Sequence, residues 1–350
     1  MKRLAIVVFN LGGPDQPSSV EPFLFNLFKD KAIINLPGVF RIPLAKFISW
    51  RRGPIAREIY DNIGGSSPLL KETKAQASSL SNKILHLADD VQVFIAMRYW
   101  HPFSKATAQA VKDFDADKII LLPLYPQFSS TTTGSSFKEW EKSAKAISLE
   151  KPTHKVCCYP CEDGYVKGHQ NLIQKSIVKA ELKVNNDTDV RILFSAHGLP
   201  KKVIKGGDPY QWQIEQTATA VAKAIKISMC RNHLDWTVCY QSRVGPLEWI
   251  GPSLDQELKR ASQDDIGVVV VPIAFVSEHS ETLVELDIEY REKAEALNLP
   301  FYIRVPALSI EENFINSLAK IVESSLISSD KIRCQAGTRQ CPIEFTNCPI

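Results

Sequence analysis

The chain has 350 residues, 44% of them hydrophobic and 23% charged, which makes a soluble globular protein with one large or two medium domains the default. Forty-two basic against 39 acidic side chains leave a formal charge of +3. That balance is too mild, and too free of Lys/Arg runs, to indicate a nucleic-acid partner.

The N-terminus reads MKRLAIVVFNLGG. A basic start before an apolar run is compatible with a secretory signal, but residues 4–9 are shorter than the usual apolar region and no small-residue cleavage site follows. A first β-strand fits better. Further apolar runs at 91–96, 118–124, 191–194, 236–240 and 266–274 read as strands, several of them continuous, as in parallel sheets covered on both faces. Helical patterns at 68–85, 213–227 and 311–326 lie between or after them. This alternation predicts an α/β fold with parallel sheets. No stretch is long enough to span a bilayer, so the expected location is a cytoplasm, or the inner surface of a membrane.

The halves echo each other. Strand one runs into Asn10-Leu11-Gly12-Gly13-Pro14 and strand four into Ala196-His197-Gly198-Leu199-Pro200; strand two ends at Arg98 and strand five at Arg243. The reading is two Rossmann-like domains, each a parallel sheet flanked by helices, at residues 1–165 and 166–330, followed by a tail at 331–350. The join falls near 160–185 and the last helix packs back. Ligands in such folds bind beyond the carboxyl ends of the strands. Gly12-Gly13 lacks the G-x-G-x-x-G spacing and the following acidic residue of a dinucleotide site, and no Walker A motif occurs, which counts against a nucleotide.

His197 stands at one such strand end, with Gly198 permitting a sharp turn and Pro200 stopping the strand. A lone histidine there is more often structural. This one is accompanied by Glu278, Glu281, Glu285 and Glu289, spaced by three and four after the sixth strand, as one helix face requires. An acidic first turn favoured by the helix dipole, with Glu289 paired to Lys293, explains Glu278 and Glu281 but explains Glu285 poorly. A carboxylate row leading to a histidine is what a divalent-cation path needs. Oxygen and imidazole donors hold such an ion loosely, where thiolates hold it tightly.

Long segments around these residues, Ser195-Ala196-His197-Gly198-Leu199-Pro200 and Pro272-Ile273-Ala274-Phe275-Val276-Ser277-Glu278-His279-Ser280-Glu281-Thr282-Leu283, resemble the signature segments of the ferrochelatase family. So do Tyr240-Gln241-Ser242-Arg243-Val244-Gly245-Pro246 with Trp249, Pro123-Leu124-Tyr125-Pro126-Gln127-Phe128-Ser129-Ser130-Thr131-Thr132-Thr133-Gly134-Ser135, and Ile63-Gly64-Gly65-Ser66-Ser67-Pro68-Leu69. The similarity runs in order from Leu4 to about Leu326. It implies a chelatase-type fold and insertion of ferrous iron, as substrate, into protoporphyrin IX to form protohaem, the last step of haem biosynthesis. By that resemblance His197 and Glu281 bind iron and accept protons, and Glu285 and Glu278 lie on the metal or proton path. Arg98 and Tyr99 face the porphyrin, with Arg98 open to a propionate or to a strand-end ion pair. Trp249 is a stacking wall or a partly buried core residue. A coproporphyrin III enzyme, a non-enzymatic porphyrin or haem carrier and a generic Rossmann enzyme are the alternatives. A homodimer is compatible with the sequence.

Residues 20–50 crowd together Phe23, Leu24, Phe25, Leu27, Phe28, Ile33, Ile34, Leu36, Val39, Phe40, Ile42, Leu44, Phe47 and Trp50, with Arg41, Lys46, Arg51 and Arg52 close by. Pro22, Pro37 and Pro43 should prevent one long helix. The segment is either core or an exposed apolar lip with basic anchors at a membrane interface; the resemblance favours the lip. Eight cysteines in a cytosolic chain are poor candidates for disulfides, and Cys239, in a strand, reads as a buried thiol. Cys334, Cys341 and Cys348 crowd the tail, and one of Cys157, Cys158 and Cys161 can complete a set of four. The resemblance points to a [2Fe–2S] cluster on Cys158, Cys334, Cys341 and Cys348. A zinc site and unliganded thiols remain open.

Overall fold

The computed structural model describes residues 1–181, 190–230, 233–243, 245 and 247–350. Val244, Pro246 and residues 182–185 of the expected join lie outside the described residues. Among the described residues there are nine strands: β1 (Arg3–Asn10), β2 (Asp90–Met97), β3 (Lys118–Pro123), β4 (Thr153–Val156), β5 (Val190–His197), β6 (Asp235–Gln241), β7 (Gly267–Pro272), β8 (Tyr302–Arg304) and β9 (Ile332–Arg333). They form two parallel sheets, ordered β2-β1-β3-β4-β9 and β6-β5-β7-β8. This is the α/β fold with helix-flanked parallel sheets that the alternation predicts.

The chain divides into two compact units. The first comprises residues 1–158, 319–338 and 350, and the second residues 159–318 and 339–349. In the first, β1 is buried from Leu4 to Asn10. Its Leu-Ala-Ile-Val-Val-Phe run fits a central parallel strand because side chains leave it on both faces and both are covered. Ala5, Val7 and Phe9 pack on the helices Ser104–Asp113 and Thr133–Ala146, where Phe9 meets Phe137 and Trp140 edge-on at 5.8 and 5.9 Å.

The second unit repeats the logic. Ile192, Phe194 and Ala196 of β5 face the helix Tyr210–Ser228, burying Ile214, Ala218, Val221 and Ile225. Leu193 points the other way with Val268 and Val270 of β7, onto Leu254, Leu258 and Ala261 of the helix Leu254–Gln263. Each such side chain taken from water contributes roughly 1.5–3 kcal/mol. The helix starts with Ser253 and Gln256 bonding each other's backbone N–H reciprocally.

Both sheets carry the same order, 2-1-3-4 in the first and 6-5-7-8 in the second. The chain leaves β5 to pair β6 on one side and returns to pair β7 on the other. The crevice beyond the carboxyl ends of β5 and β7 is therefore the topological switch point, where ligands bind in open parallel sheets.

Three strands escaped the sequence. β4, β8 and β9 have four, three and two residues, too few for an apolar run to stand out. The prolines of residues 20–50 act differently from expectation. The break falls between the helices Val20–Phe28 and Gly38–Asp61, with Pro37 just before the second, whereas Pro43 lies inside it. Val20, Phe23 and Leu24 join a core with Tyr60 and Tyr99. Val39, Phe40, Ile42, Leu44, Phe47 and Trp50 are exposed, Phe40 by 65% and Trp50 by 63%. The segment is core at its start and an uncovered apolar face afterwards.

Candidate active site

β5 ends at His197 and the segment after β7 leads into the π-helix Glu281–Glu289. The π-helix seats Thr282, Val284 and Leu286 against the unit while its Glu281 and Glu285 turn to β5 and β6. Winding with i→i+5 bonds is rare and recurs at functional sites; here the amide of Tyr290 bonds the carbonyl of Glu285.

His197 Nδ1 lies 2.8 Å from Glu281 Oε2, with the side chains 40% and 25% exposed, so the pair can be reached from solvent. Burial works against the imidazolium, but the charge of Glu281, its hydrogen bond and the charge of Glu285 outweigh burial and hold the His197 pKa above its ordinary value. For Glu281 burial acts upward, and is overcome by the His197 charge and hydrogen bond, by His279 and by the Ser242 hydroxyl, so its pKa is lowered. The pair thus stabilises the fold in the window between those two values. Its contribution fades as pH rises through the His197 value or falls through the Glu281 value.

Gln241 and Ser242, at the end of β6, organise the carboxylates. Ser195 donates to Gln241 Oε1 at 2.7 Å, which turns Nε2 toward Glu285 Oε2 (3.0 Å) and the Glu281 carbonyl (3.1 Å). The Ser242 amide donates to Glu285 Oε1 at 2.8 Å, and its Oγ lies 3.0 Å from Glu281 Oε2 and 2.5 Å from Glu285 Oε2. A serine hydroxyl has one proton and can donate to only one carboxylate at a time. Burial and the charge of Glu281 raise the Glu285 pKa against the donors Ser242 and Gln241. The backbone is fixed as tightly. Tyr210 donates to the His197 carbonyl at 3.1 Å and Gly198 N to the Gln241 carbonyl at 2.9 Å. A Cβ on Gly198 would come within 3.0 Å of that carbonyl and 3.4 Å of the Trp249 ring, so glycine is required by the close approach.

The expected row of four carboxylates reduces to two. Glu278 bonds Arg304 Nη1 at 2.6 Å and the Ala307 amide at 2.9 Å. Lys293 bonds Asp255 at 2.8 Å rather than Glu289, which is exposed. His279 is buried, its Nδ1 bonds the Ser277 carbonyl at 3.1 Å, and burial lowers its pKa. Trp249 is partly buried beside Gly198, and its indole nitrogen is buried with no hydrogen-bond partner among the described residues.

Arg98 and Tyr99 belong to the first unit, immediately after β2. Asp30 Oδ2 accepts from Arg98 Nη2 at 2.8 Å, Tyr99 Oη at 2.8 Å and Ser135 Oγ at 2.5 Å, and Oδ1 accepts from Ala32 N at 2.9 Å. The Arg98 guanidinium also donates to Ser135 at 2.7 Å and lies 4.9 Å over the Tyr99 ring. Tyr99 is fully buried, and burial followed by the Asp30 charge raises its phenol pKa well above the ordinary value. Arg98 is therefore in the strand-end ion pair. Asp30, Gln241 and Ser242 had no assigned role in the sequence. The one signal for Asp30 was an acid within the apolar segment, where Glu21 is its single acidic companion.

The tail cysteines are buried. Cys334 shares an apolar cluster with Cys157, Cys158 and Phe128 in the first unit. Cys341 and Cys348 belong to the second unit, where Gln213 Nε2 lies 3.1 Å from Cys341 Sγ. Among the described residues no three His, Cys, Asp or Glu side chains form a metal-holding group. The donor chemistry of the four thiols suits a cluster, while their described geometry gathers no such set.

The fold is shared with SirB from Bacillus subtilis with Fe3+, at a TM-score of 0.52 and 12% identity over 94% of this chain and 97% of that one. It is shared likewise with the sirohydrochlorin chelatase SirB of Bacillus subtilis subspecies spizizenii in complex with cobalt, at 0.51 and 11% over 93% and 95%. The architecture is that of the chelatases. The sequence model of the family Ferrochelatase matches residues 3–326. Ferrochelatases of Caulobacter vibrioides (strain NA1000 / CB15N) and Pelagibacter ubique (strain HTCC1062) are 50% and 46% identical, over 99% and 100% of this chain and 97% and 98% of their own lengths. The chain belongs to the ferrochelatase family, whose members are lyases that put ferrous iron into a porphyrin.

The geometry of the pair sets its titration. By NMR, His197 should titrate above the usual histidine value of about 6.5, and Glu281→Gln should lower its titration, because burial is then opposed chiefly by the charge of Glu285. An unchanged titration in the variant would remove Glu281 as the cause.

Proposed function

We propose that this chain inserts ferrous iron into protoporphyrin IX to form protohaem, with His197 and Glu281 as the metal-receiving and proton-accepting pair. The observation that carries the reading is the His197–Glu281 contact at a strand-end switch point in a chain related to ferrochelatases over nearly its whole length. The reaction releases two protons from pyrrole nitrogens as two metal–nitrogen bonds replace two N–H bonds. Nδ1 of His197 is committed to Glu281, so Nε2 meets the ligand. The arriving cation displaces the imidazolium proton to solvent; as the ion passes to the porphyrin, the freed Nε2 accepts one pyrrole proton and a neighbouring carboxylate accepts the other. Glu285, with a raised pKa, is suited to carry a proton outward. Trp249 supplies a flat wall beside Gly198.

The exposed apolar face favours the less polar protoporphyrin over coproporphyrin III. Val39, Phe40, Leu44, Phe47 and Trp50 with Lys46, Arg51 and Arg52 form a surface suited to an anionic membrane interface. Among the described residues no helix is long and apolar enough to cross a membrane. Cys158, Cys334, Cys341 and Cys348 are read as ligands of a [2Fe–2S] cluster; their burial and the irregular tail support it. Such a cluster would pin the tail and enters no step of the reaction.

Three outcomes are expected. Purified protein should insert ferrous iron into protoporphyrin IX faster than into coproporphyrin III, and His197→Ala should lose about 100-fold or more of that rate while porphyrin titration by fluorescence stays within a few-fold; substantial residual insertion would take His197 out of the mechanism. The anaerobically purified protein should absorb beyond the aromatic region and carry labile sulfide, whereas colourless protein with stoichiometric zinc would reject the cluster. Vesicles containing anionic lipid should sediment the protein, and Phe47→Ser with Trp50→Ser should release it; equal sedimentation of that variant would reject the apolar face as the contact.

A further inference from the structure

We infer that Ser242 is a positioning residue for cation capture, its hydroxyl holding the carboxylates of Glu281 and Glu285 together beside His197. The identity of the cation as the substrate iron rests on the function proposed above; the positioning itself rests on the geometry.

Ser242 follows β6 in the left-handed backbone region, at φ 59°. For a residue with a Cβ this conformation costs roughly 1–2 kcal/mol, and glycine avoids it. At this position serine has a side chain that glycine would not supply. That side chain reaches both carboxylates, at 3.0 and 2.5 Å, while its amide holds the far oxygen of Glu285 at 2.8 Å. Two carboxylates four residues apart on one helix repel, and spread without a group between them. The hydroxyl is that group in the absence of a cation. The support beneath it is rigid, since Gln241 is fully buried, clamped by Ser195 and bonded to the same two glutamates. Backbone strain at a position that organises charged groups is a recurrent feature of functional sites.

The test uses the full chain with Co2+ as a non-oxidising probe of cation binding, measured by calorimetry, beside insertion kinetics with ferrous iron. Ser242→Ala removes the hydroxyl and keeps the strain; Ser242→Gly removes both. Both variants should bind Co2+ about tenfold or more weakly, as loss of a hydrogen bond to a charged group implies. Both should raise KM for iron by a similar factor and leave KM for porphyrin within about twofold, and the glycine variant should melt above the alanine variant because it relieves the left-handed backbone. Co2+ affinity within twofold of the parent in the glycine variant overturns the inference, and so does an equal rise in both KM values. Weakened Co2+ binding in variants of a parent that inserts no iron would leave the positioning role standing and sink the proposed function. Insertion by the parent with unaffected variants would do the reverse.

Discussion

The bond between His197 and Glu281 is the contact on which the second unit's arrangement turns. It joins the last residue of β5 to the first residue of the π-helix after β7, two neighbours in the sheet whose connections run to opposite sides. Each partner makes the other's charge tolerable. Without Glu281 the imidazole loses the charge that offsets its burial, and without His197 the carboxylate loses its nearest cation. The surrounding bonds serve this contact. Tyr210 and Gly198 hold the His197 backbone, while Ser195, Gln241 and Ser242 hold the glutamates. A ligand entering here meets groups whose directions are already set, which is what preorganisation requires.

The two units use equivalent positions for opposite chemistry. Arg98 follows β2, and Ser242 follows β6, which takes the same place in the repeated order. In the first unit Asp30 is met by Arg98, Tyr99, Ser135 and the Ala32 amide, a network in which donors surround one carboxylate. In the second, two carboxylates face one histidine. The first arrangement is locally neutral and holds the start of the apolar segment to a strand end. The second keeps an excess of negative charge and attracts a cation. One architecture, duplicated, supports both because the strand-end residues can change without disturbing the buried runs beneath them.

Those buried runs are why so much of the fold was legible. β1, β3, β5 and β7 are covered on both faces, so their central runs at 4–9, 119–122, 192–194 and 268–271 are apolar without interruption and announce a parallel sheet. β8 and β9 sit at sheet edges with three and two residues, where pairing with a neighbour rather than composition makes the strand. His197 and Glu281 were legible as a strand-end histidine and a following acid. The four-carboxylate row was only half legible. Spacing alone cannot see Arg304, which bonds Glu278 from β8, nor the i→i+5 winding that begins at Glu281. Asp30 and Ser242 are ordinary in sequence; their roles come from partners 68 and 43 residues away.

The choice of donors is itself an argument about turnover. An ion that must be handed on should meet ligands that release it, and imidazole with carboxylate satisfies that where thiolate does not. Cys239 lies on β6 only two residues before Gln241, so a thiol is close in sequence to the cation path. It packs in the core with Leu193 and Leu258, its Sγ lies 3.8 Å from the Phe194 carbonyl, and burial raises its pKa far above the usual thiol value. A protonated, apolar-packed sulfur is a poor ligand. Cys239 and Gln241 share one face of β6, so the thiol is kept from the releasing set by its place two residues back along the strand, under the apolar packing of Leu193 and Leu258. A one-residue slip of β6 would turn Gln241 and Cys239 together to the other face, taking the amide away from Glu281 and Glu285. The register of β5 with β6, His197 opposite Gln241 and Ser195 opposite Cys239, is thus a determinant of the chemistry as well as of the fold.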